Sequence, residues 1–534
     1  MDAKTRILPF LLLAIVCAIA APRATATFTE VAAAAGLVIS PPASPPRGID
    51  ALASPNHPVC AADLDRDGWT DLLLSPTPDR LRVFMNNRDG TFREEGVERG
   101  FGDAIDIGGI AAGDISNTGR TDVILVPSSG TRYFLYVNDG NGYFTERAVE
   151  RGADMTVTGG NHRGQSIGLV DYDRDGFLDV HVTEWGVSGT SNATRYAVLL
   201  RNRGRDAPGH FVNVTESSGL RQPHFGSSSR GYSSAWADFD DDGYPDLSLI
   251  SDFSTSQLWW NDGDGTFTEG SAAAGVGKEQ NGMGVAVADF NRDGRLDYFV
   301  STFDVHGSLI FAGANKLYQN LGGRKFRDVA DAWGVTDSSW GWGAVFIDPN
   351  NDGWLDLLVT NGYSFVAPTN QPNLPPNFIA DARTDRTRFF LNNGSRMTES
   401  GPFWGVTDTG EGHGVTVLDY DNDGDEDVLI GNLRGPWILY RNDNPAPPNR
   451  WLRLRFTGTV SNRDGYRCAR AGDRGRRDAD RPLRADQRLH RPARARAALR
   501  ARVGVGGGLG GDQVAQRRGP ATGRHCLEPG VGRR

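Results

Sequence analysis

The sequence predicts an all-β fold, a seven-bladed β-propeller built from repeated four-stranded units. Three observations predict it. One Asp-rich pattern, D-x-[DN]-x-D-G-x-x-D followed by an apolar strand, occurs in six complete copies and one degraded copy. A second motif, ending in Phe-x-Glu, follows only the first six of these, and its missing seventh copy stands at the other end of the repeat, at Phe28-Thr29-Glu30-Val31. The 68 Gly and 28 Pro among 534 residues favour many short strands joined by turns over a helix bundle.

The first 26 residues read as an address. Lys4 and Arg6 precede an apolar run from Ile7 to Ala21, and Ala24-Thr25-Ala26 has the small-x-small form of a cleavage site. The run of about 15 residues is short of the ~20 needed to span a bilayer. Residues 1–26 are therefore expected to be a secretory signal peptide. The mature chain is expected to be secreted or periplasmic, without a membrane span, in an oxidising compartment where calcium is abundant. Four Cys (Cys17, Cys60, Cys468, Cys526) exclude a disulfide scaffold and any Cys-rich zinc module. The Arg excess over Lys, 53 to 4, reads as GC-rich coding sequence of bacterial type.

Residues 27–445 carry the repeats. The complete loops begin at Asp63, Asp171, Asp238, Asp289, Asp348 and Asp419, and a degraded one runs Asp114, Ser116, Thr118, Gly119, Asp122. Steps between successive starts are 51, 57, 67, 51, 59 and 71 residues, one supersecondary unit each. The last Asp of each loop leads into a β-rich run such as Leu72-Leu73-Leu74 or Leu357-Leu358-Val359. Asn-Gly turn chemistry follows, as at Asn261-Asp262-Gly263-Asp264-Gly265-Thr266-Phe267. Each unit is thus expected to be strand, Asp loop, strand, Asn-Gly turn, strand and a short connector, close to four strands in all. A linear solenoid has no use for a start and an end that complete one repeat. A closed ring does, because Phe28–Val31 can pair into the last blade and remove both sheet edges.

The Asp loops carry the chemistry. Oxygen side chains at positions 1, 3 and 5 converge in a tight turn that Gly at position 6 permits, and a carboxylate at position 9 closes the shell. These are hard ligands of the kind and number Ca²⁺ takes, in an arrangement whose start is like an EF-hand loop but whose flanks are strands. The expected ligands are Asp63, Asp65, Asp67 and Asp71; Asp171, Asp173, Asp175 and Asp179; Asp238, Asp240, Asp242 and Asp246; Asp289, Asn291, Asp293 and Asp297; Asp348, Asn350, Asp352 and Asp356; and Asp419, Asp421, Asp423 and Asp427. About six structural Ca²⁺ sites follow, with little or no binding at the degraded loop. Against the calcium reading stands the plain turn-forming habit of Asp and Gly, which six copies at one spacing make hard to sustain.

At these residues a family resemblance enters. The loops and their strands resemble the FG-GAP/VCBS repeats of integrin-α-like propellers. The segment Asn449-Arg450-Trp451-Leu452-Arg453-Leu454 through Ser461-Asn462-Arg463-Asp464-Gly465 is similar to the opening of an ASPIC/UnbV domain, so 446–466 is expected to begin one. Propeller plus ASPIC/UnbV is the arrangement of the cartilage acidic protein family of secreted proteins. The resemblance implies an extracellular calcium-binding module of interaction or adhesion type, with calcium ligands at the six complete loops.

Residues 467–534 depart from that pattern. They hold 18 Arg against 6 acids, a net of +12, and no Phe, Tyr, Trp, Ile, Met, Asn, Ser or Lys. The abrupt loss of eight residue types reads as DNA translated out of frame, and such a tail is expected to be disordered. The alternative is a genuine Arg-rich tail that binds a polyanion. With the chain at −9 overall, the rest carries −21, an acidic body unlike a nucleic-acid-binding domain.

The expected function is therefore a monomeric, non-enzymatic module that binds an extracellular protein or glycan. No catalytic residue and no organic cofactor is expected. The alternative is a secreted propeller hydrolase or lyase that combines a loop metal with His and Arg of the central channel. Gly-punctuated segments before the loops place Arg163, Arg230, Trp340, Glu411 and His413 as candidates to ring one mouth of that channel.

Overall fold

A computed structural model describes residues 28–38, 57–76, 80–103, 105–158, 161–188, 198–220, 224–225, 228–303, 313–362, 385–433, 435–443, 452–455 and 502–505. They form a seven-bladed propeller of four-stranded antiparallel sheets. The first blade shows the plan: Val59–Ala62 innermost, then Asp71–Leu74, Arg82–Asn86 and, outermost, Phe92–Glu94. The Asp loop joins the innermost strand to the second, as its place before each apolar run predicts.

The ring closes as the motif arithmetic requires. Phe28–Glu30 pairs antiparallel with Ile438–Asn442 of the last blade, in the register Phe28 with Asn442 and Glu30 with Tyr440. The Phe28 ring lies 6.0 Å from Phe389 and 6.1 Å from Tyr440. Burying one Phe is worth about 1.5–3 kcal/mol, so this contact stabilises the closure beyond its hydrogen bonds. Phe92, Phe144, Phe211, Phe267, Phe326 and Met397 occupy the same place in the other blades, and all are buried.

The core is divided between blades rather than gathered at one centre. Apolar clusters sit between successive blades, including one in which Val31, Ala35 and Leu37 join Leu72 and Phe84 of the first blade to Leu429 and Trp437 of the last. A connector after each outermost strand fixes the spacing. Gly405, with φ +83°, shows why: an added Cβ would lie 2.3 Å from the Phe28 carbonyl oxygen, so only Gly lets the connector touch the next blade's outer strand.

The third and fourth blades are joined. Asp179–Ser188 runs past its own blade and pairs with Ser228–Ala237, the innermost strand of the next, with Trp185 opposite Arg230. Beyond the propeller, Leu452–Arg455 pairs antiparallel with Arg502–Val505. The expected signal peptide, and nearly all of the expected ASPIC/UnbV start and Arg-rich tail, lie outside the described residues. No helix among the described residues is long and apolar enough to cross a membrane.

Candidate metal centres

All seven Asp loops fold alike. The Gly at position 6 has φ between 82° and 97°, and the residue at position 4, Arg66 in the first loop and Asn422 in the last, is also left-handed, with φ between 52° and 66°. Two such residues in one turn are costly for a non-Gly chain. The carboxylates offset the cost by accepting the turn's amides. The position-1 Asp accepts from the Gly N–H at 2.6–3.2 Å in every loop, Asp63 from Gly68 and Asp419 from Gly424 among them.

The position-9 Asp sits deepest. Asp71, Asp122, Asp179, Asp246, Asp297, Asp356 and Asp427 are fully buried or nearly so. Each accepts through Oδ1 the backbone N–H of an Asn on the third strand of its blade, at 2.7–2.9 Å. That Asn then reaches across to the preceding blade. Its Nδ2 donates to the carbonyl at position 2 of the neighbouring Asp loop at 2.7–3.1 Å, in all seven blades. Asn86, Asn138, Asn202, Asn261, Asn320, Asn392 and Asn442 thus link every loop to the next blade. Sequence reasoning took them for turn formers only.

In four loops, positions 1, 3 and 9 bring carboxylate oxygens within 4.8 Å of one another: Asp63, Asp65 and Asp71; Asp171, Asp173 and Asp179; Asp238, Asp240 and Asp246; and Asp419, Asp421 and Asp427. Three anionic oxygens so close repel one another unless a cation sits among them. Two complete loops have Asn at position 3, where Asn291 and Asn350 offer an amide oxygen instead. There the position-9 Oδ2 atoms of Asp297 and Asp356 are buried and take no hydrogen bond from the described residues. A buried, unpartnered carboxylate oxygen fits a site meant for a cation.

Position 5 is the remaining expected ligand of each loop, and it lies beside the close groups. Asp67, Asp175, Asp242, Asp293, Asp352 and Asp423 are not part of the close carboxylate groups. Asp67 accepts the Trp69 N–H at 2.8 Å and pairs with Arg88 at 2.7 Å. Asp293 accepts from the Arg295 N–H at 3.0 Å and pairs with its guanidinium at 2.7 Å. The side chain at this position closes the turn on itself. In the fourth loop Arg324 of the next blade also donates to Asp240 at 2.7 Å. The degraded loop has Asp114 and Asp122, but Ser116 and Thr118 supply no carboxylate. Asp122 accepts there from the Ser116 and Asn138 amides, both at 2.9 Å.

Burial and neighbouring carboxylates raise these groups. Desolvation first, then the charges of Asp65 and Asp67, push Asp71 up to about 7. The same causes, from the carboxylates of their own loops, take Asp246, Asp297 and Asp427 up to about 8 and Asp356 to about 9. Each would have to lose its proton to hold a cation, and a cation supplies the charge that makes this favourable.

The central channel is a cavity of about 250 Å³ lined by the innermost strands, among them Gln165, Tyr232, Met283, Trp342 and His413. The His413 ring stacks on Trp342 at 4.0 Å. Of the residues expected at its mouth, His413 lines the cavity, whereas Arg163, Arg230, Trp340 and Glu411 are not among the lining side chains. Residues two further along, Gln165, Tyr232 and Trp342, take those places. The strands bulge between Gly164 and Ser166, Gly231 and Ser233, and Gly341 and Ala344, which changes the side chain turned to the axis.

FG-GAP-like repeats match residues 63–125, 114–182, 238–300 and 306–359. Cartilage acidic protein 1 of Mus musculus and that of Homo sapiens are each 30% identical to this chain over 204 residues. The aligned stretch covers 37% of the chain and 28% of either relative, so it spans under a third of their length. Among solved structures, a lectin of Agrocybe aegerita that recognises non-reducing terminal N-acetylglucosamine aligns with a TM-score of 0.41 and 18% identity, over 72% of this chain and 94% of its own.

Proposed function

We propose that this chain of FG-GAP-like repeats is an extracytoplasmic calcium-binding propeller that serves as an interaction or adhesion module, with Ca²⁺ held structurally at about six Asp loops. The observation that carries the reading is the approach of three carboxylates within 4.8 Å in each of four loops. Oxygen-only ligands from short side chains in flexible turns suit Ca²⁺, whereas Mg²⁺ keeps its waters and demands a stricter octahedron. When bound, the ion neutralises the loop and holds the hairpin. The Asn links then tie each pinned loop to the next blade. The name of the mammalian relatives agrees with an extracellular, acidic protein.

The reading is of a binding module rather than an enzyme, acting as a monomer on an unidentified extracellular protein or glycan. His413 precedes Asp419 by six residues along the strand Gly412–Leu418, about 20 Å at 3.3 Å per residue. The loops and the expected channel mouth lie at opposite ends of the innermost strands, which argues against one catalytic site that joins a loop metal to channel His and Arg. The test is thermal melting with calcium, with magnesium and with chelator. Calcium should raise the melting temperature by several degrees and magnesium should restore it poorly; equal curves in all three would refute the proposal.

A further inference from the structure

We propose that Arg230 anchors a binding site for a carboxylate-bearing sugar, a uronic acid, on the propeller face opposite the Asp loops. The proposal deepens the reading of the chain as a binding module and is independent of calcium occupancy. Three chain segments meet there, each at the strand end farthest from its loop. Trp185 lies in the far half of the extended strand of the third blade and stands opposite Arg230 in the register. Phe253 follows the second strand of the fourth blade. The Arg230 guanidinium carbon lies 5.0 Å from the Trp185 ring centroid and 5.1 Å from that of Phe253.

Aromatic faces hold a guanidinium but take none of its hydrogen bonds. The Arg230 Nε is buried and has no acceptor among the described residues. The nearby carboxylate does not serve: Asp252 accepts the Trp185 indole N–H at 2.8 Å. Burial pushes Asp252 up to about 7, so it offsets the Arg230 charge only in part at neutral pH. A planar guanidinium fork selects a planar anion, and a carboxylate fits it with two parallel bonds.

The backbone around Phe253 is arranged at a cost. Phe253 and Ser254 are both left-handed, with φ of 56° and 57°. A bulky aromatic rarely adopts this conformation, and such strain gathers at functional sites. Ser254 N–H to Gln280 at 2.8 Å and Thr255 Oγ1 to the Asp252 carbonyl at 2.6 Å hold the turn. The result leaves Phe253 39% exposed beside the cation. An apolar ring face next to an anion-seeking fork suits a sugar ring, whose C–H face stacks on the aromatic while its carboxylate meets Arg230. An acidic peptide side chain would bring only methylenes to that face.

Calorimetric titration of the calcium-loaded full chain tests this, with galacturonic and glucuronic acid as probes. Galactose and glucose are the neutral controls, and glutarate is the carboxylate without a sugar. Saturable binding of a uronate is expected, with the neutral sugars and glutarate weaker. Arg230→Gln should weaken it by about tenfold or more, the scale of a charge-assisted hydrogen-bond pair, and Arg230→Lys by less. Phe253→Ala, which trims a partly exposed ring and leaves the Arg230 and Asp252 side chains in place, provides a second variant and should also weaken it. The bound calcium and the melting temperature of each sample separate a failure here from a failure of the calcium reading. No saturable uronate binding, binding unchanged in both Arg230→Gln and Phe253→Ala, or glutarate binding as tightly as the uronates would overturn the proposal.

Discussion

Asn86 donates its side-chain amide to the main-chain carbonyl of Tyr420 at 2.8 Å, across 334 residues of sequence and across the seam where the ring closes. The same amide reaches the Thr70 carbonyl at 3.1 Å, and its backbone N–H is held by Asp71 at 2.9 Å. One residue therefore joins its own Asp loop to that of the last blade. Asn86→Ala should leave one buried and one partly buried carbonyl short of a donor and cost about 1–3 kcal/mol. Asn138→Ala, the same link away from the seam, should cost a similar amount. Urea denaturation of both variants checks this, and a loss below about 0.5 kcal/mol in each would contradict the role given to the links.

Closure makes a second prediction. Phe28 is 4% exposed and packs on Phe389 and Tyr440. Phe28→Ala should destabilise by about 3 kcal/mol through the cavity it leaves. Deleting residues 27–37 should do more, because it leaves the edge of Ile438–Asn442 unpaired and open to association. Light scattering should then show aggregation, whereas a deletion variant that stays monomeric and stable would mean the strand is dispensable.

The loops should differ in metal content. Asp297→Ala and Asp173→Ala should each remove about one bound ion. Asp122→Ala belongs to the loop that lacks two carboxylates, and its own oxygens already accept two amides. It should lower stability while leaving the ion count unchanged. Elemental analysis beside a melting curve separates the two effects.

Acid should weaken the fold through two buried histidines. Burial lowers His57 to about 4 and His181 to about 3. Unfolded, each would titrate near 6.5. Between those values the unfolded state binds more protons, so stability rises with pH across that window. The contribution is complete above pH 6.5 and is lost as pH falls towards 4 for His57 and 3 for His181. His181→Gln should flatten the fall in melting temperature from pH 6.5 to 4, measured at saturating calcium. A slope identical to that of the unaltered protein would contradict this.

Much of the fold was legible because its signals are local and repeated. The spacing of Asp63 to Asp71 recurs, and the displaced Phe28 motif implies a ring rather than a row. What was not legible depends on the neighbouring blade. Nothing near Asn86 in sequence points to Tyr420, so its second role was invisible beside its turn chemistry. The left-handed position 4 left a faint trace, since Arg66, Asn117, Arg174, Asp241, Arg292, Asn351 and Asn422 include no β-branched residue. The channel lining was misread at Arg163, Arg230 and Trp340 because a bulge beside each glycine shifts the alternation that the sequence pattern assumes.

The central claim is that the Asp loops hold calcium. Its most direct measurement is the calcium bound per chain in the purified protein after equilibrium dialysis against millimolar calcium. About six ions are expected, one for each complete loop. At extracellular-type affinities of about 10⁻⁴–10⁻³ M, each would contribute roughly 0.4–1.4 kcal/mol by mass action at millimolar calcium. A chain that retains no calcium under these conditions would contradict the account, and the Asp loops would then be turns and nothing more.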